Sequence, residues 1–163
     1  MSSQTAPLAT LESIQSAVKA TVPAERLADM LAFADAFYAR LPEEELALRS
    51  AEVWAAIAVS NRAFADQREA GQAKIRVFNP GAADGFDGGH SVVQIVNDDM
   101  SFLVDSVGIA LAKHGLSSHG MVHPVFPVTR DAHGKLSSVG QGPAESLIHL
   151  EVDRQASAED MQA

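Results

Sequence analysis

Residues 92–115, VVQIVNDDMSFLVDSVGIALAKHG, constrain the fold more than any other stretch. Val92, Val93, Ile95 and Val96 form a short β-branched run with the composition of a buried strand. Asn97, Asp98 and Asp99 then interrupt it. Their side chains accept hydrogen bonds from backbone N–H groups two or three residues on, which suits a helix N-terminus. From Met100 the period changes: Leu103, Val107, Ala110, Leu111 and His114 share one helical face, with Met100 and Val104 beside it. Gly115 supplies a residue that tolerates the left-handed conformation closing a helix. The reading is strand, acidic turn, helix, stop. A second strand has to follow, because one strand and one helix cannot bury both apolar faces.

With 163 residues the chain holds one core of ordinary size and a small helical attachment. Its net charge of -9 argues against nucleic acid or an anionic membrane as partner, since both call for clustered Lys and Arg. Cysteine is absent, which excludes disulfides, thiolate chemistry and Cys-based metal sites. The opening MSSQTAPLATLESIQ lacks the basic start and apolar core of a signal peptide, and no apolar run approaches membrane length. The expected location is cytoplasmic.

The first seventy or so residues read as helical. Leu11, Ile14, Gln15 and Val18 suggest a short helix, and Thr21 and Pro23 mark the start of the next. Leu27, Met30, Leu31, Ala34 and Tyr38 make its apolar stripe. A short acidic helix follows Pro42. Ser50 caps a further one with the stripe Val53, Trp54, Ile57, Asn61 and Phe64, stopping at Gly71. KIRVF (74–78) reads as a strand, and NPGAADGFDGG (79–89) as a loop and the expected boundary within the chain. MVHPVFPVT (121–129) is extended, with Pro124 and Pro127 restricting it to a sheet edge. RDAHGK (130–135) is a turn with Gly134 placed for positive φ, and residues 136–139 pair back locally. In SLIHLEVD (146–153), Ile148, Leu150 and Val152 face one way, and Leu147, His149 and Glu151 the other. Residues 156–163 look like a helix beginning. The expectation is therefore a helical segment over 1–72, an α/β sandwich over 73–163, and a chain cut from something longer.

Little in this order builds an active site. Asp98 and Asp99 are adjacent, so their carboxylates do not converge as a working acid–base pair does, and helix capping is the better account. Asp105 lies one turn further on, most simply on the solvated face. The six histidines (His90, His114, His119, His123, His133, His149) match no compact ligand set. His119 and His123 share a strand face that His149 could join, but sheet-surface histidines are the simpler reading, and no metal is expected. The glycines of 79–89 precede a strand, and Asp84 and Asp87 would repel phosphate. No dinucleotide fingerprint, Walker motif or GxSxG elbow occurs.

A strand, helix, two joined strands and a second helix form the start of a βαββαβ, ferredoxin-like unit of usual strand order 4-1-3-2. Small sensor domains of the ACT type share this architecture. The wording narrows it further. IRVFNP (75–80), IVNDDMSFLVDSV (95–107), GL (115–116), HPVF (123–126), RDAHGKL (130–136) and ESLIHLEVDR (145–154) resemble the N-terminal region of the large bacterial NAD-dependent glutamate dehydrogenases, over roughly residues 24–163. The resemblance implies an α+β fold, an N-terminal helical segment followed by an ACT-like antiparallel sheet. That sheet is expected to be truncated after its third strand, unless KIRVF fills the fourth place or the edge pairs with another chain.

The resemblance also implies a regulatory or assembly module, not itself catalytic, of an enzyme converting glutamate to 2-oxoglutarate and ammonia. No cofactor is expected in this part; NAD belongs to the distant catalytic part. The implied partners are other domains of the parent chain, further copies in a homo-oligomer, and an amino-acid effector. In ACT-type domains the effector sits at the first strand–helix turn, frequently at a dimer interface. That implies Asn97, Asp98, Asp99, Met100 and Ser101 as site residues, with Leu116 and Ser117 opposite. The rival expectation is a purely structural module with no small ligand.

Overall fold

A computed structural model describes residues 9–69, 71–81, 84–86, 89–99 and 103–153. Four helices come first. Thr10 and Ser13 form a reciprocal capping box that starts α1 (Leu11–Thr21), whose Ile14 and Val18 are fully buried. Pro23 precedes α2 (Ala24–Tyr38), which buries Met30, Phe33, Ala34, Phe37 and Tyr38. After the short α3 (Glu43–Leu46), the Ser50 hydroxyl accepts from Val53 N at 3.2 Å and opens α4 (Ala51–Ala65). Two aromatic polar ends lock these helices together. Tyr38 Oη donates to Trp54 O at 2.6 Å, and Trp54 Nε1 donates to Leu46 O at 2.7 Å.

The last helix stops at Ala65, short of Gly71, because tertiary bonds claim the chain beyond it. Lys74 Nζ donates to the open carbonyls of Phe64 and Gln67 at 2.7 and 3.0 Å. Leu136 N donates to Asp66 O at 2.8 Å, and Arg68 N to Gly134 O at 3.1 Å.

The remaining elements are β1 (Lys74–Phe78), β2 (Ser91–Asp98), α5 (Leu103–Lys113), β3 (Ser118–Val122), β4 (Val125–Arg130) and β5 (Leu136–Val152). Every pairing is antiparallel, in the order β1-β2-β5-β3, with β4 also on β5. Read as first strand β2, second β3 and third β5, this is the 4-1-3-2 arrangement with β1 in the fourth place. KIRVF thus fills the slot that a truncated unit would leave open: Ile75 stands opposite Ile95, and Val77 opposite Val93.

Several boundaries differ from the sequence reading. The 79–89 loop is a connection between neighbouring antiparallel strands, not a boundary. Its buried Phe86 packs edge-on to Phe78 and to His149, with ring centroids 6.4 and 5.8 Å apart. Strand β2 continues through Asn97 and Asp98, because Ser146 and Glu145 of β5 are there to pair with them. The extended segment 121–129 divides at His123 and Pro124 into β3 and β4, which lie at the edge as the prolines require. The two pieces read at 136–139 and 146–153 are one 17-residue strand. Gly140 and Gly142, at φ 114° and 112°, carry it through a bulge where the register against β4 jumps from Val128–Val139 to Pro127–Ala144. The readings for Met100, Ser101, Asp87 and residues 156–163 lie outside the described residues.

The period-2 alternation of β2 and β5 decides what lies on each face of the sheet. Val92, Val96 and Leu147 join Phe33, Phe37, Trp54, Ile57 and Phe64 in one core beneath the N-terminal helices. Ile95, Ile148, Leu150 and Val152 face the other way, against Val107 and Leu111 of α5. Ala110 and His114 of the expected α5 stripe are exposed instead. Gly115 and Gly134 do take positive φ, 69° and 82°. Among the described residues no helix is long and apolar enough to cross a membrane.

Candidate functional site

Where β2 ends and β4 turns into β5, four charged side chains converge. Arg130 grips Glu145 through two parallel bonds, Nε to Oε2 at 2.8 Å and Nη2 to Oε1 at 2.9 Å. Arg68, just past α4, sends Nη2 to Glu145 Oε2 at 2.9 Å and to Asp98 Oδ1 at 2.7 Å. Carbonyls hold both guanidiniums from behind: Gly134 O accepts from Arg130 Nη1, and Gln72 O from Arg68 Nη1, each at 2.8 Å. Glu145 and Arg68 are buried, whereas the Asp98 side chain is 57% exposed. Burial alone would raise the Glu145 carboxyl, but Arg130 and Arg68 outweigh it and hold it below the usual value.

These groups line a pocket of about 610 Å³ that Asp131 and His133 also line. Backbone N–H groups of Lys135 and His133 bind Asp131 and hold its carboxyl low. The four converging groups are two guanidiniums and two carboxylates locked in ion pairs. Such a set suits recognition of a small charged molecule.

Of the residues expected at an effector site, Asp98 lines this pocket. Its carboxylate goes to Arg68, a contact that no local pattern announces. Asn97 lies in β2 opposite Ser146. Asp99 N donates to Ala144 O, and Asp99 Oδ1 accepts from Ser146 Oγ, both at 3.3 Å. Leu116 and Ser117 sit beyond the other end of α5. Leu116 N closes the helix on Leu111 O at 2.9 Å, and Ser117 N donates to Asp153 Oδ2 at 2.9 Å. A helix of this length spans about 16 Å. One chain therefore does not bring Asn97–Asp99 and Leu116–Ser117 together.

A second polar cluster is buried between helices and sheet. Asn61 of α4 meets His149 of β5, and Glu151 pairs with Arg49, which stacks over Trp54 at 5.1 Å. His90 lies 3.5 Å from Glu151 and stacks on His119 at 4.3 Å, while His119 bonds Asp153 at 2.6 Å. The signal was present in the sequence: Asn61 falls in an apolar stripe, and His149 and Glu151 share parity with Leu147. The partner of each was not. Among the described residues no three His, Asp or Glu side chains could hold a metal. The residues also do not fit a dinucleotide. Asp98 ends β2 and Asp99 follows it, where a pyrophosphate-binding turn needs glycines, and β5 separates β2 from β3.

The family model of the glutamate dehydrogenase ACT1 domain matches residues 33–163. The "NAD-specific glutamate dehydrogenase" of Halomonas elongata is 29% identical over 160 residues, covering 93% of this chain and 10% of that protein. The protein of the same name from Pseudomonas aeruginosa is 30% identical over 158 residues, covering 92% and 10%. The chain thus spans about a tenth of the length of the curated relatives it matches. No solved structure matches it. With its helices and ACT-like antiparallel sheet, the chain belongs to the glutamate dehydrogenase ACT1 domain family.

Proposed function

We propose that this chain is an N-terminal regulatory domain of an NAD-dependent glutamate dehydrogenase, that it is not itself catalytic, and that it binds a small amino-acid effector. Family membership and the names of the relatives support the first part. Conversion of glutamate to 2-oxoglutarate and ammonia, and the binding of NAD, would belong to other parts of a cytoplasmic parent enzyme.

The observation carrying the effector reading is the Arg68–Asp98–Glu145–Arg130 pocket. Buried Glu145 holds two guanidiniums in place, and the Asp98 side chain stays more than half exposed. An effector's ammonium would meet Asp98, and its carboxylate the guanidiniums at the rear. Such a ligand would act by binding one arrangement of the domain more tightly than another. Calorimetric titration with individual amino acids tests this. Saturable heat that disappears in Asp98→Asn supports the reading. A folded chain that gives no heat and no shift in melting temperature with any of them overturns it.

A second reading, assembly without a small ligand, is favoured by Ile109 and Ile75, which are 68% and 62% exposed.

A further inference from the structure

Helix α5 is too apolar for the surface it occupies. Its sequence LVDSVGIALAK has three polar residues in eleven, the composition of a helix covered on every side. Among its described side chains only one side is covered. Val107 and Leu111 rest on the sheet, while Gly108, Ile109, Ala110 and Ala112 are exposed. At about 100° per residue, Ile109 points directly away from the Val107–Leu111 side. A Cβ added at Gly108 would meet nothing within 4 Å, so the surface there is open.

The order of side chains on this outer face is symmetric about Ile109. Asp105 lies four residues before it and Lys113 four residues after, on the same ridge, and both are exposed. Among the described residues neither makes an ion pair. Gly108 and Ala112 lie beside Ile109 and have almost no bulk. If two such helices cross antiparallel with Ile109 on the two-fold axis, Asp105 of each meets Lys113 of the other. The small residues then let the backbones approach, and the contact is self-complementary.

We propose that a second copy of this chain covers the outer face of α5 through an antiparallel, two-fold α5–α5 contact centred on Ile109. The order Asp105–Ile109–Lys113 supplies complementary charge for a copy of itself in this orientation, and in the parallel orientation it would set like charge against like. The proposal goes beyond the effector reading and does not depend on it, because the Arg68–Glu145 pocket lies apart from this face.

Sedimentation equilibrium of the 163-residue chain over a wide concentration range tests it, with circular dichroism verifying the fold of each variant. The expected result is concentration-dependent doubling of mass. Ile109→Asp should abolish doubling with an unchanged melting temperature for the monomer. Asp105→Lys and Lys113→Asp should each weaken association at least tenfold, and the double reversal should restore it. A chain that stays monomeric at the highest concentrations overturns the proposal, leaving α5 to other parts of a longer protein. So does a dimer indifferent to Ile109→Asp, or one that the double reversal fails to rescue.

Discussion

The amide of Asn61 and the ring of His149 meet at 3.0 Å between Nδ2 and Nδ1, tying α4 to the last strand. The same Nδ2 donates to Ile57 O at 2.9 Å, so this nitrogen is the donor in both contacts. His149 Nδ1 must therefore accept, which leaves the proton of the neutral ring on Nε2, 3.6 Å from Glu151 Oε2. Both side chains are about 1% exposed. Truncating Asn61→Ala strands a buried acceptor as well as losing the bond. The expected loss is roughly 2 kcal/mol, read from urea denaturation with an unchanged slope.

The same pair makes stability depend on pH. Burial pushes the His149 imidazole below its ordinary value of 6.5, although Glu151 opposes this. Below that value the unfolded chain takes up a proton that the folded chain does not, so stability falls on acidification. Glu151 adds a second limb. Burial would raise its carboxyl, but the His149 edge and the Arg49 guanidinium outweigh it and hold it at about 2. Its stabilisation is complete above the ordinary 4.5 and is lost as pH falls towards 2. Melting temperature measured from pH 8 downwards should begin to drop near 6.5 and drop further below 4.5. His149→Gln should flatten the first limb.

Glu145 holds together three elements distant in sequence, since it binds both Arg68 and Arg130. Removing its charge leaves the Arg68 guanidinium, 4% exposed, with Asp98 as its remaining carboxylate. Glu145→Gln should cost roughly 3 kcal/mol, the scale of a broken buried pair. Asp98→Asn should cost less than about 1 kcal/mol, because the Asp98 side chain is itself 57% exposed at the pocket mouth. Equal losses from chemical denaturation would contradict the division into a buried clamp and an open mouth.

The bulge in β5 offers a test of backbone geometry. Gly140 and Gly142 share a positive φ, but a Cβ at Gly142 would lie 2.1 Å from Val128 O, whereas at Gly140 it would meet open space. Gly140→Ala should cost about 1–2 kcal/mol from strain alone. Gly142→Ala has to displace β4 as well and should cost clearly more. Thermal unfolding of the two variants side by side decides it.

Local chemistry determined much of this protein from the sequence by itself. The β-branched run of β2, the change of period at α5, the Ser50 cap, the positive-φ glycines at 115 and 134 and the edge prolines each act within a few residues, so they were legible. So was the family, through the text of residues 75–154. What tertiary structure decided lies in contacts between residues far apart in the chain. KIRVF takes the fourth sheet position because β2 has a free side there, which its five residues cannot reveal. Residues Asn97 and Asp98 remain strand because β5 extends far enough to pair with them. Asp98 faces Arg68, and Asn61 faces His149, across separations of 30 and 88 residues. A charged or polar side chain states that a partner is needed; only the packed sheet and helices determine which residue it is.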